Sequence, residues 1–110
     1  MLTDCHVHFD RIPAERIPRV VQHARDFGVG RMILVSKCVS TSRQTLEFAR
    51  QYEGIYAGIG IHPIMAHEAA EGDYDKLREL AATGKKIVCL GEIGLDYGEV
   101  YGAGQVARNQ

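Results

Sequence analysis

Four short apolar segments alternate with three stretches whose apolar residues recur at steps of three and four. The apolar segments are Leu2 to Phe9, Met32-Ile33-Leu34-Val35 running on towards Val39, Ile55 to Ile61, and Ile87 to Ile93. Continuous apolar runs rich in Ile and Val suit strands buried on both faces. The first intervening pattern carries Ile17, Val20, Val21, Ala24 and Phe27 on one helical face, with Pro13 suited to a first turn and Gly28 to a stop. Pro18 requires that helix to begin near Ile17 or to bend there. The second has Ser40, Thr41 and Ser42 as candidate caps, then Leu46, Ala49 and Tyr52 or Glu53, closed by Gly54. The third opens on Asp73 as cap and places Tyr74, Leu77, Leu80, Ala81 and Gly84 on a shared face.

Strand, helix, strand, helix, strand, helix, strand in that order implies right-handed crossovers and a parallel sheet. Such units either open into a doubly wound sheet or close into an eight-stranded barrel of the TIM type. No GxGxxG or GxxxxGK[ST] follows a strand, which weighs against nucleotide-binding versions. After Tyr97 the chain turns glycine-dense with no helical period, so residues 98–110 read as a loop and frayed tail.

The chain has 110 residues and 12.2 kDa, enough for one domain. Thirteen Lys and Arg against fourteen Asp and Glu leave a formal charge of −1, so no global field draws it to nucleic acid or an anionic membrane. No apolar run approaches the roughly 18 residues of a membrane span, and the start lacks the features of a secretory signal. Cys5, Cys38 and Cys89 are odd in number, form no CxxC and sit in apolar segments. They read as buried, reduced thiols of a cytoplasmic protein.

The candidate chemistry lies at strand ends. On a strand, alternate residues face the same way, so Asp4, His6 and His8 share one face, and two imidazoles so placed can hold one divalent metal. Cys5, Val7 and Phe9 then face the helices. Glu92 and Asp96 lie at the carboxyl end of the fourth strand, where parallel α/β proteins place their sites. An unpaired carboxylate inside an apolar strand is costly, and metal coordination by Glu92 relieves that cost. Asp96 equally suits a turn. Pro63 ends the third strand and holds His62 at its mouth, within reach of a phosphate, a metal-bound water or a nearby carbonyl. Polar groups converging from strands one, three and four point to a hydrolytic metal site, with Glu92, Asp96 and His62 as catalytic candidates and His62 and Asp4 as substrate contacts. Imidazole and carboxylate ligands suit Zn²⁺ or Mn²⁺, whereas Mg²⁺ alone prefers more oxygen.

Taken together, Asp4-x-His6-x-His8, Gly60-Ile61-His62-Pro63 and Gly91-Glu92-Ile93-Gly94-Leu95-Asp96-Tyr97 resemble the TatD family of metal-dependent deoxyribonucleases, within the amidohydrolase-like barrels. The third motif is the most specific. Asp-x-His-x-His alone equally suggests a PHP-type phosphoesterase or another amidohydrolase. The resemblance covers residues 1–97 and implies a parallel (β/α)₈ barrel that cleaves phosphodiester bonds in DNA. It further implies that His6 and His8 ligate one metal, that Glu92 is a carboxylate ligand able to bridge two ions, and that His62 lies near the substrate phosphate.

Family members are longer, and their later strands add two histidines and an aspartate. Residues 1–97 therefore read as an amino-terminal half-barrel of about four βα units, from a truncated, split or frame-shifted gene. Open sheet edges favour self-association or pairing with a missing carboxy-terminal half. Weak metal binding and little or no nuclease activity are expected of the isolated chain, as a non-catalytic metal-binding fragment would show. Local positive charge at Arg11 or Lys37 could still guide a nucleic-acid backbone.

Overall fold

The computed structural model describes residues 1–96. The glycine-rich stretch 98–110 lies outside the described residues. Four strands, β1 (Leu2–Val7), β2 (Val29–Leu34), β3 (Ile55–Ile59) and β4 (Ile87–Leu90), alternate with helices α1 (Ile17–Asp26), α2 (Val39–Gln51) and α3 (Asp73–Thr83). Every neighbouring pair is parallel, and the sheet order β1-β2-β3-β4 follows the chain. This is the α/β arrangement expected of four consecutive units of a (β/α) barrel.

The core forms where the helices cover β2 and β3. Met32 and Leu34 on β2 and Ile55 and Ala57 on β3 meet Ile17 and Val21 of α1, Ala49 of α2 and Phe9. Leu34 and Ile55 are fully buried, which contributes about 1.5–3 kcal/mol each. Helix α1 begins at Ile17 with Pro18 in its first turn, where a missing N–H leaves no bond unmade. It ends at Asp26, and the chain turns away at Gly28, whose φ of 85° suits glycine.

Several expectations fail for identifiable reasons. Phe27, expected on the apolar face of α1, lies beyond the helix end and is 74% exposed. The caps expected at Ser40, Thr41 or Ser42 give way to Cys38, whose N–H is accepted by the Thr41 hydroxyl at 3.0 Å. The helix therefore starts earlier, and Ser42 becomes a buried residue accepting from the Gly60 N–H. Gly72 caps α3 in place of Asp73, although the Asp73 carboxylate still accepts from the Ala70 N–H. Helix α3 buries no residue fully. Its Tyr74, Leu77 and Ala81 line an apolar groove of about 580 Å³ with Ile59, Ile61 and Leu90.

The cysteines are not buried thiols. All three are free, Cys5 and Cys89 are exposed, and Cys38 is half-buried. Cys5 and Cys89 line an open cavity of about 440 Å³ with Val35. Val35 alternates with the core residue Leu34, so this cavity lies on the face away from the helices. Among the described residues no second layer covers that face, so an apolar neighbourhood in the sequence does not become burial in the fold.

Candidate metal centre

The carboxyl ends of the strands build the site. In β1 the pairing passes from Asp4 opposite Met32 to Val7 opposite Leu34, so three steps along β1 match two along β2. That irregularity breaks strict alternation between Asp4 and the histidines. The Asp4 carboxylate accepts from the His6 N–H at 3.2 Å and stands outside the His6, His8 and Glu92 cluster. The strand ends at Val7, two residues short of Phe9, and His8 follows in irregular backbone.

Glu92 follows the end of β4 and is held by backbone bonds. Its N–H donates to the Ser36 carbonyl at 2.7 Å, the Ser36 N–H to the Gly91 carbonyl at 3.1 Å, and the Gly91 N–H to the Ile59 carbonyl at 2.9 Å. The ends of β2 and β4 are thus tied across the end of β3. Glycine at position 60 permits this, because a Cβ there would lie 2.5 Å from the Glu92 carbonyl oxygen. The buried Ser36 hydroxyl donates to the Gly58 carbonyl at 2.8 Å and fixes the same crossing from below.

His6, His8 and Glu92 come together as a result. His6 Nε2 lies 3.1 Å from His8 Nε2 and 3.3 Å from Glu92 Oε1, and His8 Nε2 lies 3.7 Å from Glu92 Oε2. Tetrahedral zinc with bonds of about 2.0–2.1 Å sets donor atoms about 3.3 Å apart; the His6–His8 and His6–Glu92 Oε1 spacings match that value, and His8 faces the other carboxylate oxygen. Glu92 Oε2 is buried and has no hydrogen-bond partner. A buried acceptor in that state costs about 1–3 kcal/mol, and a cation would satisfy it. The donor set of two imidazoles and one carboxylate suits Zn²⁺ or Mn²⁺.

His62 stands beside this cluster, with Nε2 3.8 Å from Glu92 Oε1. It caps the 3-10 turn Pro63–Glu68, and its Nδ1 accepts from the Ile64 N–H at 3.0 Å. That bond fixes the neutral tautomer with the proton on Nε2, aimed towards the cluster. Asp96 is half-buried and outside the three-residue cluster.

Two residues not singled out as ligands or catalysts complete the picture. Lys37 Nζ donates to Asp10 Oδ2 at 2.8 Å, and Asp10 Oδ1 lies 3.9 Å from His8 Nδ1. The Lys37 hydrogen bond holds the Asp10 carboxyl below the usual carboxylate range, against the opposing effect of burial. Asp10 continues the every-second-residue series Asp4, His6, His8, and that spacing was its signal in the sequence.

The model of the family described as TatD related DNase matches residues 3–110. The match runs through the glycine-rich stretch. An uncharacterized metal-dependent hydrolase, YabD of Bacillus subtilis, is 35% identical over 98 residues, covering 88% of this chain and 38% of that protein. Deoxyribonuclease Tat-D of Schizosaccharomyces pombe is 34% identical over 91 residues, covering 74% of this chain and 29% of that protein. The crystal structure of YJJV, a TatD homolog from Escherichia coli K12, superposes with a TM-score of 0.83 at 28% identity, covering 98% of this chain and 44% of that one. The chain therefore spans less than half the length of each of these relatives.

Proposed function

The chain belongs to the TatD-related DNase family, and from that membership we propose that it carries the first metal-binding elements of a hydrolase cleaving phosphodiester bonds in DNA. The main support is one observation: donor atoms of His6, His8 and Glu92, from two strand ends, lie within 4.8 Å of one another, and one oxygen of the carboxylate is buried with no hydrogen-bond partner. The metal-dependent relative in B. subtilis and the deoxyribonuclease of fission yeast point the same way.

In this proposal His6 and His8 offer Nε2 lone pairs and Glu92 offers its carboxylate to a divalent cation. Such a cation supplies Lewis acidity, stabilising negative charge on a phosphate and making water a usable nucleophile near neutral pH. His62 donates its Nε2 proton to a phosphate oxygen, a role for which the Ile64 N–H pre-sets its tautomer. Asp4, which accepts from the His6 N–H, is a substrate contact in this proposal. Asp96, four residues beyond Glu92, remains a catalytic candidate in this proposal.

The side chains of His6 and His8 are 58% and 34% exposed. Water screens a site this open, so the isolated 110-residue chain is expected to bind metal weakly and to cleave little DNA. Thermal melts with and without Zn²⁺ or Mn²⁺ test the ligand set. Stabilisation that disappears in His6→Ala and Glu92→Ala is the expected result. The same metal shift in all three proteins would reject the site. EDTA-sensitive cleavage of a labelled DNA strand by the purified chain would overturn the expectation of weak activity.

A further inference from the structure

The geometry points to Asp10 and Lys37 as positioning residues for His8. Lys37 stands just past the end of β2 and Asp10 two residues beyond His8, so the pair joins the loops that follow neighbouring strands. This goes beyond the three-ligand site and rests on the functional reading given above.

An imidazole can present a lone pair at Nε2 only if its neutral form carries the proton on Nδ1. For His8, the acceptor facing Nδ1 is Asp10 Oδ1 at 3.9 Å. That distance is an ion-pair spacing, longer than a formed hydrogen bond. The second carboxylate oxygen is already taken by the Lys37 ammonium at 2.8 Å, so Asp10 can turn only its free oxygen to His8. The side chains of Asp10 and Lys37 are 23% and 27% exposed, less than that of His8 itself. Lys37 donates to Asp10, and the Nδ1 edge of His8 faces the free Asp10 oxygen, which leaves His8 Nε2 on the side of His6 Nε2, 3.1 Å away. A carboxylate behind a ligating imidazole raises its basicity and fixes its orientation, and losing one typically weakens metal binding 10–100-fold.

The isosteric change Asp10→Asn reverses the key contact. Lys37 retains the carbonyl oxygen of Asn, which leaves the amide N–H₂ facing His8 Nδ1. That donor favours the opposite tautomer and removes the Nε2 lone pair.

The test uses the 110-residue chain at pH 8, with ¹⁵N-detected imidazole spectra for the tautomer and calorimetric Zn²⁺ titration for affinity. In the parent protein His8 is expected as the Nδ1–H form. Asp10→Asn is expected to shift it towards Nε2–H and to weaken Zn²⁺ binding 10–100-fold, with the metal-free melting temperature little changed. Lys37→Met should move both readouts in the same direction, and Lys37→Arg should restore them. An unchanged tautomer in both Asp10→Asn and Lys37→Met overturns the inference. The spectra need no metal, so this arm decides even if zinc fails to bind. His8→Ala separates the two levels: zinc binding unaffected by that variant defeats the metal site itself, whereas unaffected binding in Asp10→Asn alone defeats only the positioning role.

Discussion

Replacing Glu92 by Gln should change stability in opposite directions depending on metal. In the metal-free protein, Oε2 is a buried acceptor with no hydrogen-bond partner, a state that costs about 1–3 kcal/mol. The isosteric amide can place its N–H₂ at the Oε2 position, 3.7 Å from His8 Nε2, and keep a carbonyl oxygen towards the Nε2 atoms of His6 and His62, at 3.3 and 3.8 Å. It also leaves in place the backbone bond from residue 92 to the Ser36 carbonyl. Glu92→Gln is therefore expected to melt at the same temperature as the parent or a few degrees higher. With metal the balance inverts. A ligand at 100 times its dissociation constant stabilises by about 2.7 kcal/mol. For a chain of this size each kcal/mol moves the midpoint by about 4–8 °C. The parent should thus gain on the order of 10–20 °C in excess Zn²⁺, and Glu92→Gln only a small part of that. Circular dichroism melts at matched metal concentrations provide the assay. If the variant were destabilised without metal by several kcal/mol, Glu92 would be a structural acid and the ligand argument would fall. An undiminished zinc shift would refute it equally.

Gly60→Ala should reduce the metal shift while leaving the β2–β3 core intact, because its Cβ would press on the Glu92 carbonyl and on Ile93; an unaltered zinc titration would show that the crossing tolerates a methyl group. Asp73 sits below the usual carboxylate range because of its hydrogen bond to the Lys76 ammonium and the Ala70 N–H. A lowered folded-state value contributes stability above the unfolded value of about 4, lost as pH falls through the folded value. Urea titrations should show Asp73→Asn less stable than the parent at pH 6, with the gap closing at pH 3; a gap independent of pH would contradict this. For Cys38, burial raises the thiol, but hydrogen bonds from Ser40 and Thr41 outweigh it, whereas burial and the neighbouring Cys5 push Cys89 up. Iodoacetamide should therefore label Cys38 faster than Cys89 near neutral pH, read peptide by peptide in the mass spectrometer; faster labelling at Cys89 would count against these environments.

The strand and helix rhythm was legible because β2 and β3 are buried on the helix side by an unbroken apolar series. Met32, Leu34, Ile55 and Ala57 find partners there. The same letters misled where no partner exists. Cys5, Cys89 and Leu90 sit in equally apolar runs, yet all three are exposed, because apolar composition does not reveal whether a second layer covers a face. Tyr74 and Leu77 of α3 kept their helical spacing and still line a groove rather than a packed core. At the site, residue types and strand ends could be read from sequence, but distances could not. The irregularity between Asp4 and Val7 has no letter that marks it, and it separates Asp4 from the histidines. Asp10 was written in the spacing and became visible only through Lys37, which comes from another strand end.

The bonds that join Ser36 to Gly91 and Glu92 across Gly60 have a consequence for how the chain acquires its acid. The histidines lie in the first strand and just beyond it, and are present from the outset of winding. The carboxylate reaches them only after two helical crossovers and the third strand stand between residues 36 and 92. Such long-range closure comes late and slowly in a folding chain. Under the proposed ligand set, metal affinity is a gauge of completed winding, silent in any intermediate whose fourth strand has not docked.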